Sequence, residues 1–372
     1  MVTALPESRG YSSRVAAPST RTLAVVGGAT GALADLAAKL LDEAAAAGYE
    51  LATDAVEADL VLNVVDLERP RPFRRRARGT FVAALWTLPE PPEDGLRATY
   101  PMLVRALANI SLCYVPGHGV LFTTMERGLY LVPDSEHLAA AVLERLEPLA
   151  SARLVIENEF RPDLEPELWQ GDAVTESIAA AGRRLGGLGL LPAPFPVEEY
   201  VDEHDLRHIM RLYAIGGLSY GNLSARKDDS RFWMSASGVD KSRLERPGRD
   251  ILLVSGFDED AARMVLSVPP NVEPRRVSVD AIEHWMIYRQ NPGVGAILHV
   301  HAWMEGIVAT DINYPCGTAE LAESVAALVA AAPDPAHAVV GLRNHGITAT
   351  GTSLGEILDR VEPRLLRQVP MS

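Results

Sequence analysis

Cysteine is scarce in this chain of 372 residues, which contains only Cys113 and Cys316. Two thiols in a chain of this length do not make the disulfide framework of a small secreted domain. No apolar run approaches the ~20 residues that cross a bilayer, and the first residues lack the apolar core of a signal peptide. We therefore expect a cytoplasmic protein with reduced cysteines, no membrane contact and a disordered tail at residues 1–20.

Positive charge is also in short supply. The chain has 35 Lys and Arg residues against 49 Asp and Glu residues, and its formal net charge is -14. An acidic surface repels phosphate backbones, so this balance argues against nucleic acid as a partner. It does not argue against a small anionic substrate, because a local pocket can be positive on an acidic protein.

The apolar content of 48% and the charged content of 23% are those of a globular protein, and the length favours two domains. The first half alternates strand-like runs such as TLAVVGG with helical runs such as ALADLAAKLLDEAAAAG. This alternation predicts a Rossmann-like α/β domain with a parallel sheet over residues 21–165. Short β-like runs near its end, such as GLYLV, predict an antiparallel edge.

The stretch 157–172 is polar and contains two prolines, which places the domain boundary there. After it, helical and strand-like runs follow one another without strict alternation. We predict a second domain over residues 170–372, an α/β/α sandwich with a mostly antiparallel sheet.

Glycines follow the first predicted strand. Gly27, Gly28 and Gly31 would let a pyrophosphate approach the start of a helix, as in dinucleotide-binding folds, and Asp54 lies near the end of the next strand. The alternative is a structural strand-to-helix turn in a domain that shapes oligomerisation or covers the active site. An arginine-rich run at residues 69–78 is either an anion-binding segment or a solvated loop.

Three histidines of the second domain are candidate metal ligands. In GAILHVHAW, His299 and His301 are two residues apart, so on a strand both side chains point to the same face. His345, in RNHGIT, follows another apolar run. Three imidazoles with one open position are the usual arrangement of catalytic zinc. The alternative is a set of structural histidines.

From about residue 173 onward the chain resembles the class II aldolase/adducin family, of the L-fuculose-phosphate aldolase type. Five segments occur in the family's order and carry the resemblance: GNLSAR (221–226), SASGVDK (235–241), HVHAW (299–303), GTAELAE (317–323) and RNHGITATG (343–351). The resemblance implies that His299, His301 and His345 bind a divalent metal, most simply Zn²⁺. It further implies that Asp280, four residues before His284, serves as acid/base or as a fourth ligand.

The same resemblance implies that Asn222, Ser237, Gly238 and Ser278 bind the substrate's phosphate. Val279 stands where the family has a second serine, so a carboxylate or an uncharged polar group is an alternative. Lys241 and Arg226 could add positive charge or form exposed salt bridges. Only 13 residues separate His301 from Pro315, where the family has a longer segment with a catalytic Tyr or Asp. Asp311 and Tyr314 are substitutes by position alone.

The implied activity is that of a metal-dependent lyase. It would act on a small hydroxy-carbonyl, sugar-like substrate, phosphorylated or not, by aldol-type C–C cleavage through a metal-stabilised enediolate. The alternatives are an epimerase, a dehydratase or a decarboxylase with the same site, or a non-catalytic binding protein. The family also implies a homo-oligomer, commonly a tetramer. The sequence does not identify the substrate.

Overall fold

A computed structural model describes residues 21–75, 80–125, 128–191, 199–212 and 220–372. The tail predicted at residues 1–20 and part of the arginine-rich run, residues 76–79, lie outside the described residues. The described part is a mixed α/β structure with two sheets.

The first sheet has seven strands within the described residues. In chain order they are β1 (Arg21–Val26), β2 (Tyr49–Leu51), β3 (Leu60–Val64), β4 (Phe81–Thr87), β5 (Ile110–Val115), β6 (Gly119–Thr124) and β7 (Leu129–Pro133). The spatial order is β2-β1-β3-β4-β5-β6-β7. The first five strands of that order are parallel, and β6 and β7 are antiparallel.

Helices cover both faces of this sheet: α1 (Gly31–Ala46), α2 (Gly95–Arg105) and α3 (Leu138–Ser151). In β3, Leu60 and Leu62 join the core that holds α1 and α3, whereas Val61 joins the core that holds Met102 of α2. Burial on both faces explains why these strands read as continuous apolar runs instead of alternating ones.

The second sheet has eight strands within the described residues. They are β8 (Glu157–Arg161), β9 (Asn222–Arg226), β10 (Phe232–Ser235), β11 (Ile251–Asp258), β12 (Arg263–Ser267), β13 (Ala296–Val300), β14 (Val339–Leu342) and β15 (Gly346–Gly351). Their order is β14-β15-β13-β9-β10-β11-β12-β8. Neighbouring strands are antiparallel except β12 and β8, which are parallel.

Strand β8 lies on the first-domain side of the division drawn at residue 165, yet it pairs with β12 as an edge of the second sheet. The second sheet therefore begins before residue 165. The sequence of β8, ENEFR, is short, polar and mostly exposed, so it lacks the apolar pattern that identifies a strand.

Helices of the second half are α4 (Ala173–Gly187), α5 (Glu203–Leu212), α6 (Ala281–Gln290), α7 (Ala319–Ala331) and α8 (Leu354–Val361). Helix α4 begins with a capping box, in which Asp172 accepts from the Thr175 amide and Thr175 hydrogen-bonds back. Helix α6 packs against α7, α4 contacts β9, and α8 contacts both β9 and β13. Among the residues described, no helix combines the length and apolar character that a bilayer crossing requires.

The glycine turn predicted in the first half joins β1 to α1, which begins at Gly31. Gly27 has φ +85°, and a Cβ there would stand 2.2 Å from the Val64 carbonyl oxygen of β3. Gly28 has open space around it. Packing against β3 is therefore a sufficient physical reason for glycine at position 27.

Candidate metal centre

The first two histidines lie at the carboxyl end of β13. His299 is on the strand, and His301 follows it by two residues, so both can face the same side of the sheet. His299 lies directly opposite Asn222 of β9 and Thr348 of β15. It is fully buried between these two neighbours.

The third histidine comes from the tight turn that connects β14 to β15. Asn344 adopts the left-handed conformation, with φ +60°, and His345 follows it immediately before β15. Because β15 runs antiparallel to β13, this turn stands beside the end of β13. A Cβ on Gly346 would lie 2.3 Å from the Val300 carbonyl oxygen, so glycine at this position permits the close approach of the two strands.

The three imidazoles converge. Their candidate ligand atoms all lie within 4.8 Å of one another. Nε2 of His301 and Nε2 of His345 are 3.0 Å apart. The ring centroids of His299 lie 5.2 Å from those of His301 and 4.7 Å from those of His345. The structure thus brings together the three residues that the sequence singled out from two distant segments.

The hydrogen bonding of His299 indicates which nitrogen is free. Its Nδ1 lies 3.1 Å from the Ile347 carbonyl oxygen. A carbonyl can only accept, so Nδ1 carries the proton and Nε2 carries a lone pair. Nε2 is buried and has no hydrogen-bond partner among the described atoms. A buried nitrogen lone pair without a donor is what a metal-ligating imidazole presents.

Burial keeps these imidazoles neutral. It lowers the pKa of His299 to about 4 and that of His345 to about 3, and it lowers the pKa of His301 well below the usual value. The neighbouring imidazoles contribute to the lowered pKa of His301 and of His345. At pH 7 all three are therefore in the neutral form that binds metal.

Asp280 stands at the start of α6 and is buried. Its Oδ2 accepts a hydrogen bond from Nδ2 of Asn222, at 2.8 Å. Burial raises the pKa of this carboxyl group, while the Asn222 hydrogen bond acts in the opposite direction. Asn222, which lies opposite His299 on the neighbouring strand, thus holds Asp280 in place.

The other predicted substrate-binding residues gather at the same end of the sheet. Ser237 and Gly238 follow the end of β10, and Gly238 has φ +67°. The Ser237 amide donates to the Arg276 carbonyl, and the Ser278 amide donates to the Ser235 carbonyl. Ser278 therefore lies beside this turn, two residues before Asp280.

A buried glutamate was missed in the sequence. Glu283 is 1% exposed and its Oε1 accepts a hydrogen bond from the Thr348 hydroxyl, at 2.6 Å. The same hydroxyl oxygen lies 3.4 Å from Nδ1 of His299. Burial, together with the nearby Asp280, raises the pKa of Glu283 to about 8. Its position three residues after Asp280 on a helix was the available signal.

Lys241 and Arg226, the two basic residues considered from the sequence, lie in different environments. Lys241 is 2% exposed, so it does not form the exposed salt bridge that was one alternative. Burial lowers its pKa to about 8, and the carboxylates of Asp280 and Asp240 oppose this shift. Arg226 donates to the carbonyl oxygens of Val294, Tyr288 and Asn291, so it holds the end of α6.

Asp311 and Tyr314, the two substitutes for the missing acid/base, have no hydrogen bond to the three histidines among the described residues. Asp311 is exposed, and its backbone carbonyl accepts from Arg343. Tyr314 packs on the core near Glu320 and Glu323, and burial raises its pKa. Tyr220 was not considered from the sequence, yet its ring centroid lies 4.8 Å from that of His301.

Comparison with known proteins supports the relationship seen in the motifs. The sequence model of the Class II Aldolase and Adducin N-terminal domain matches residues 205–311. Over 133 residues the chain is 28% identical to a methylthioribulose-1-phosphate dehydratase of Pseudomonas aeruginosa (strain LESB58), which covers 35% of this chain and 46% of that protein. A protein of the same name from Pectobacterium carotovorum subsp. carotovorum (strain PC1) is 37% identical over 82 residues, covering 22% and 34%.

The chain thus spans less than half the length of these curated relatives. Among solved structures, an L-fuculose 1-phosphate aldolase has a TM-score of 0.36 at 18% identity, covering 52% of this chain and 84% of that chain. YgbL from Klebsiella pneumoniae has a TM-score of 0.33 at 21% identity, covering 51% and 84%. TM-scores this low carry no argument. The sequence matches confirm that the C-terminal half resembles the class II aldolase/adducin family.

Proposed function

We propose that this protein is a divalent-metal-dependent lyase that acts on a small hydroxy-carbonyl compound. The observation that carries the proposal is the convergence of three neutral, buried imidazoles, with ligand atoms within 4.8 Å of one another. Hydrolytic or redox metal sites also use histidine, but the surrounding motifs are those of the class II aldolase family. The proteins that the chain matches in sequence are named as dehydratases.

The donor set fits zinc. Three nitrogen ligands and one open position are typical of catalytic zinc, whereas magnesium and calcium prefer oxygen ligands. The unpartnered Nε2 of His299 is a site-specific sign that a cation is expected there. When bound, such a metal supplies Lewis-acid polarisation of a substrate carbonyl or enediolate oxygen.

Asp280 is the residue to which we assign proton transfer. Its carboxyl group is fixed at Oδ2 by Asn222, and burial raises its pKa, which makes it a stronger base than an exposed aspartate. Lys241 is close enough to lower the pKa of Asp280. The ammonium group of Lys241 therefore opposes full protonation of the base.

The substrate's polar end would lie on Asn222, Ser237, Gly238 and Ser278. Backbone amides of a turn and serine hydroxyls are suitable donors for a phosphate or carboxylate. Ser237 uses its amide to hold the Arg276 carbonyl, so its hydroxyl is the group that we assign to the substrate. The acidic net charge of the chain does not oppose this, because Lys241 provides local positive charge.

Aldol-type C–C cleavage is the first candidate reaction, in which Asp280 moves the proton. Dehydration is the second candidate, and the similarity to methylthioribulose-1-phosphate dehydratases favours it. Both are lyase reactions at a carbon next to a carbonyl group. They differ in whether a carbon–carbon bond or a carbon–oxygen bond breaks.

The test is to incubate the zinc-loaded protein with ketose phosphates and their unphosphorylated forms, and to analyse the products by mass spectrometry. Two fragments indicate aldol cleavage, and a product lighter by one water indicates dehydration. An isomer of equal mass indicates epimerisation, and loss of carbon dioxide from an acid indicates decarboxylation; both contradict a lyase that breaks these bonds.

The matched variant is Asp280→Asn, which keeps the size of the side chain and removes its basicity. We expect turnover to fall by at least about a hundredfold while zinc binding persists. Full activity in this variant would contradict the role of Asp280. Metal binding without turnover of any compound would favour the non-catalytic alternative.

For the first half, the glycine turn at Gly27, Gly28 and Gly31 still predicts a dinucleotide site, with a structural turn as the alternative. A thermal shift with a dinucleotide supports the former, since a ligand that binds only the folded state stabilises it. The domain division and a homo-oligomeric assembly are also proposals. Sedimentation of the purified protein tests the assembly, and a monomeric mass contradicts it.

A further inference from the structure

The turn that carries His345 is hydrogen-bonded to residues 366–372, which we call the strap segment. Leu342 and His345 close the turn, since the His345 amide donates to the Leu342 carbonyl. Both residues between them bond to Ser372. The buried side chain of Asn344 donates through Nδ2 to the Ser372 carbonyl, at 3.0 Å, and accepts from the Ser372 amide at Oδ1, at 2.9 Å. Nε of Arg343 donates to the Ser372 hydroxyl, at 3.2 Å.

The other end of the strap segment is bonded beside a second candidate ligand. Leu366 pairs with Trp303 through two backbone hydrogen bonds, one in each direction, of 2.8 and 2.7 Å. Trp303 follows His301 by two residues. The strap segment therefore joins the chain next to His301 to the turn that presents His345.

Met371 packs the strap segment against the first half. Its half-buried side chain contacts the apolar core that includes Phe122 of β6 and Tyr130 of β7. A Cβ on Gly128, just before β7, would stand 2.7 Å from both Sδ and Cε of Met371. Glycine at position 128 thus leaves the space that this side chain fills, and the next residue along the chain is the one that bonds to Asn344.

A second contact from the same part of the first half reaches His301 independently. Met125 and Gly128 both belong to the turn that joins β6 to β7. The Met125 carbonyl accepts from the Tyr220 hydroxyl, at 3.3 Å, and the ring centroid of Tyr220 lies 4.8 Å from that of His301. Two of the three candidate ligands are therefore linked to one turn of the first half.

The backbone at Asn344 sets the direction of the His345 side chain. Asn344 has φ +60°, in the left-handed region that few residues other than glycine adopt. Surrounding structure has to hold such a conformation in place, and the two hydrogen bonds to Ser372 do so here. Because His345 is the next residue, a change of backbone at Asn344 would turn the imidazole away from the other two.

We propose that Asn344 is a positioning residue for metal binding, and that the first half supports it through Met371 and Ser372. The proposal rests on the proposed metal site. Residues bonded behind a ligand fix its orientation, and their replacement commonly weakens metal binding by about 10–100-fold. Because Asn344 is not itself a ligand, the fourth position of the metal stays open for the substrate.

The experiment measures the zinc affinity of the full chain by competition with a chelator, and the visible spectrum of cobalt(II) bound in place of zinc. Asn344→Gly is the informative variant, because glycine adopts a positive φ without steric cost. The change removes the two bonds to Ser372 and spares the backbone. We expect zinc to bind at least about tenfold more weakly and the cobalt bands to shift, since they report the geometry of the ligands. A purely structural role would leave both unchanged in the folded protein.

Met371 tests the contribution of the first half. Met371→Ala opens a gap over Gly128 and should weaken zinc binding, by less than Asn344→Gly does. Met371→Leu has a similar volume and should retain the wild-type affinity. Leu366→Ala is the matched control within the strap segment, because the Leu366 side chain is exposed and its bonds to Trp303 use the backbone.

Wild-type zinc affinity and an unchanged cobalt spectrum in Asn344→Gly would overturn the positioning role and leave the three-histidine site intact. A loss in Asn344→Gly together with wild-type affinity in Met371→Ala would overturn the role of the first half. No zinc uptake by the wild-type protein would overturn the proposed function, and this proposal with it.

Discussion

Glu283 and Thr348 form a hydrogen-bonded pair next to His299, on the side of its Nδ1. The Thr348 hydroxyl donates to Glu283 and lies within 3.4 Å of Nδ1 of His299, and the Ile347 carbonyl accepts from the same Nδ1. Partners of this kind fix the ring orientation of a metal-binding histidine and leave the other nitrogen for the metal. A carboxyl group with a pKa of about 8 is mostly neutral at pH 7, so it adds little negative charge behind His299.

The first prediction follows from the raised pKa of Glu283. The folded protein keeps this proton up to about pH 8, whereas the unfolded chain releases it near pH 4.5. The folded state thus binds more protons between these values, and the stabilisation is lost as pH rises through the window. In the metal-free protein, Glu283→Gln should remove a slope of up to about 1.4 kcal/mol per pH unit.

Urea denaturation of the metal-free protein at several values between pH 5 and pH 7.5 measures this slope. The difference in slope between wild type and Glu283→Gln is the contribution of Glu283. The histidines contribute equally to both proteins, and their lowered pKa values make stability rise with pH below about pH 6.5. Glu203→Gln, at an exposed position of α5, is the control and should follow the wild type. Parallel curves for wild type and Glu283→Gln would contradict the account of Glu283.

Among the elements, the turn between β1 and α1 shows how packing alone can require glycine. Gly27 combines a positive φ with a Cβ position that meets the Val64 carbonyl. Gly28, its neighbour, has neither constraint. Two adjacent glycines in one motif therefore have different reasons to be there.

The second prediction compares these two glycines. Gly27→Ala should destabilise the protein by about 2 kcal/mol or more, through backbone strain and the overlap with β3. Gly28→Ala should stay within about 0.5 kcal/mol of the wild type. Chemical denaturation measures both, and an equal loss in the two variants would show that the turn is not constrained as described.

Much of the metal centre in the second half could be predicted from the sequence, because the patterns that indicate it are local. The two-residue spacing of His299 and His301 and the apolar runs before each histidine predicted neighbours at strand ends, and the structure brings them together. Glu283 was missed because burial of a glutamate depends on tertiary contacts such as its hydrogen bond with Thr348 of β15. Lys241 was left open for the same reason.

Strand β8 shows that a strand with few apolar residues cannot be predicted from its sequence pattern. Its sequence has a single large apolar side chain, Phe160, which is partly exposed. Its pairing with β12 comes from tertiary contact, since Arg161 lies opposite Ser267 at the end of that ladder. A local sequence pattern does not encode such pairing, so the sequence alone did not predict that β8 belongs to the second sheet.

At the scale of the whole molecule, helix α2 of the first half meets α5 of the second. Arg105 of α2 donates to Asp205, at 2.9 Å, and Asp205 is 1% exposed. An apolar cluster that includes Tyr100 and Val201 lies beside this pair. The hydroxyls of Tyr100 and Tyr220 both donate to the Met125 carbonyl. Through Tyr220, this contact reaches the ring of His301.

The third prediction concerns this contact. Arg105→Ala would leave the buried Asp205 carboxylate without its cation, and we expect a loss of about 1–3 kcal/mol. Arg207→Ala is the control, on the helix α5 that carries Asp205, because Arg207 pairs with the highly exposed Glu203 and should contribute less than about 0.5 kcal/mol. Urea denaturation compares the two, and similar losses would contradict a role for the Arg105 pair in joining the two halves.

The most direct test of the account is the metal content of the purified, zinc-equilibrated protein, measured by elemental analysis. We predict about one zinc per chain for the wild type and for His337→Ala, since His337 is exposed and paired with Asp334. His299→Ala, His301→Ala and His345→Ala should each lose most of the metal while remaining folded. Equal zinc content in all five proteins, or none in the wild type, would contradict the proposed metal centre.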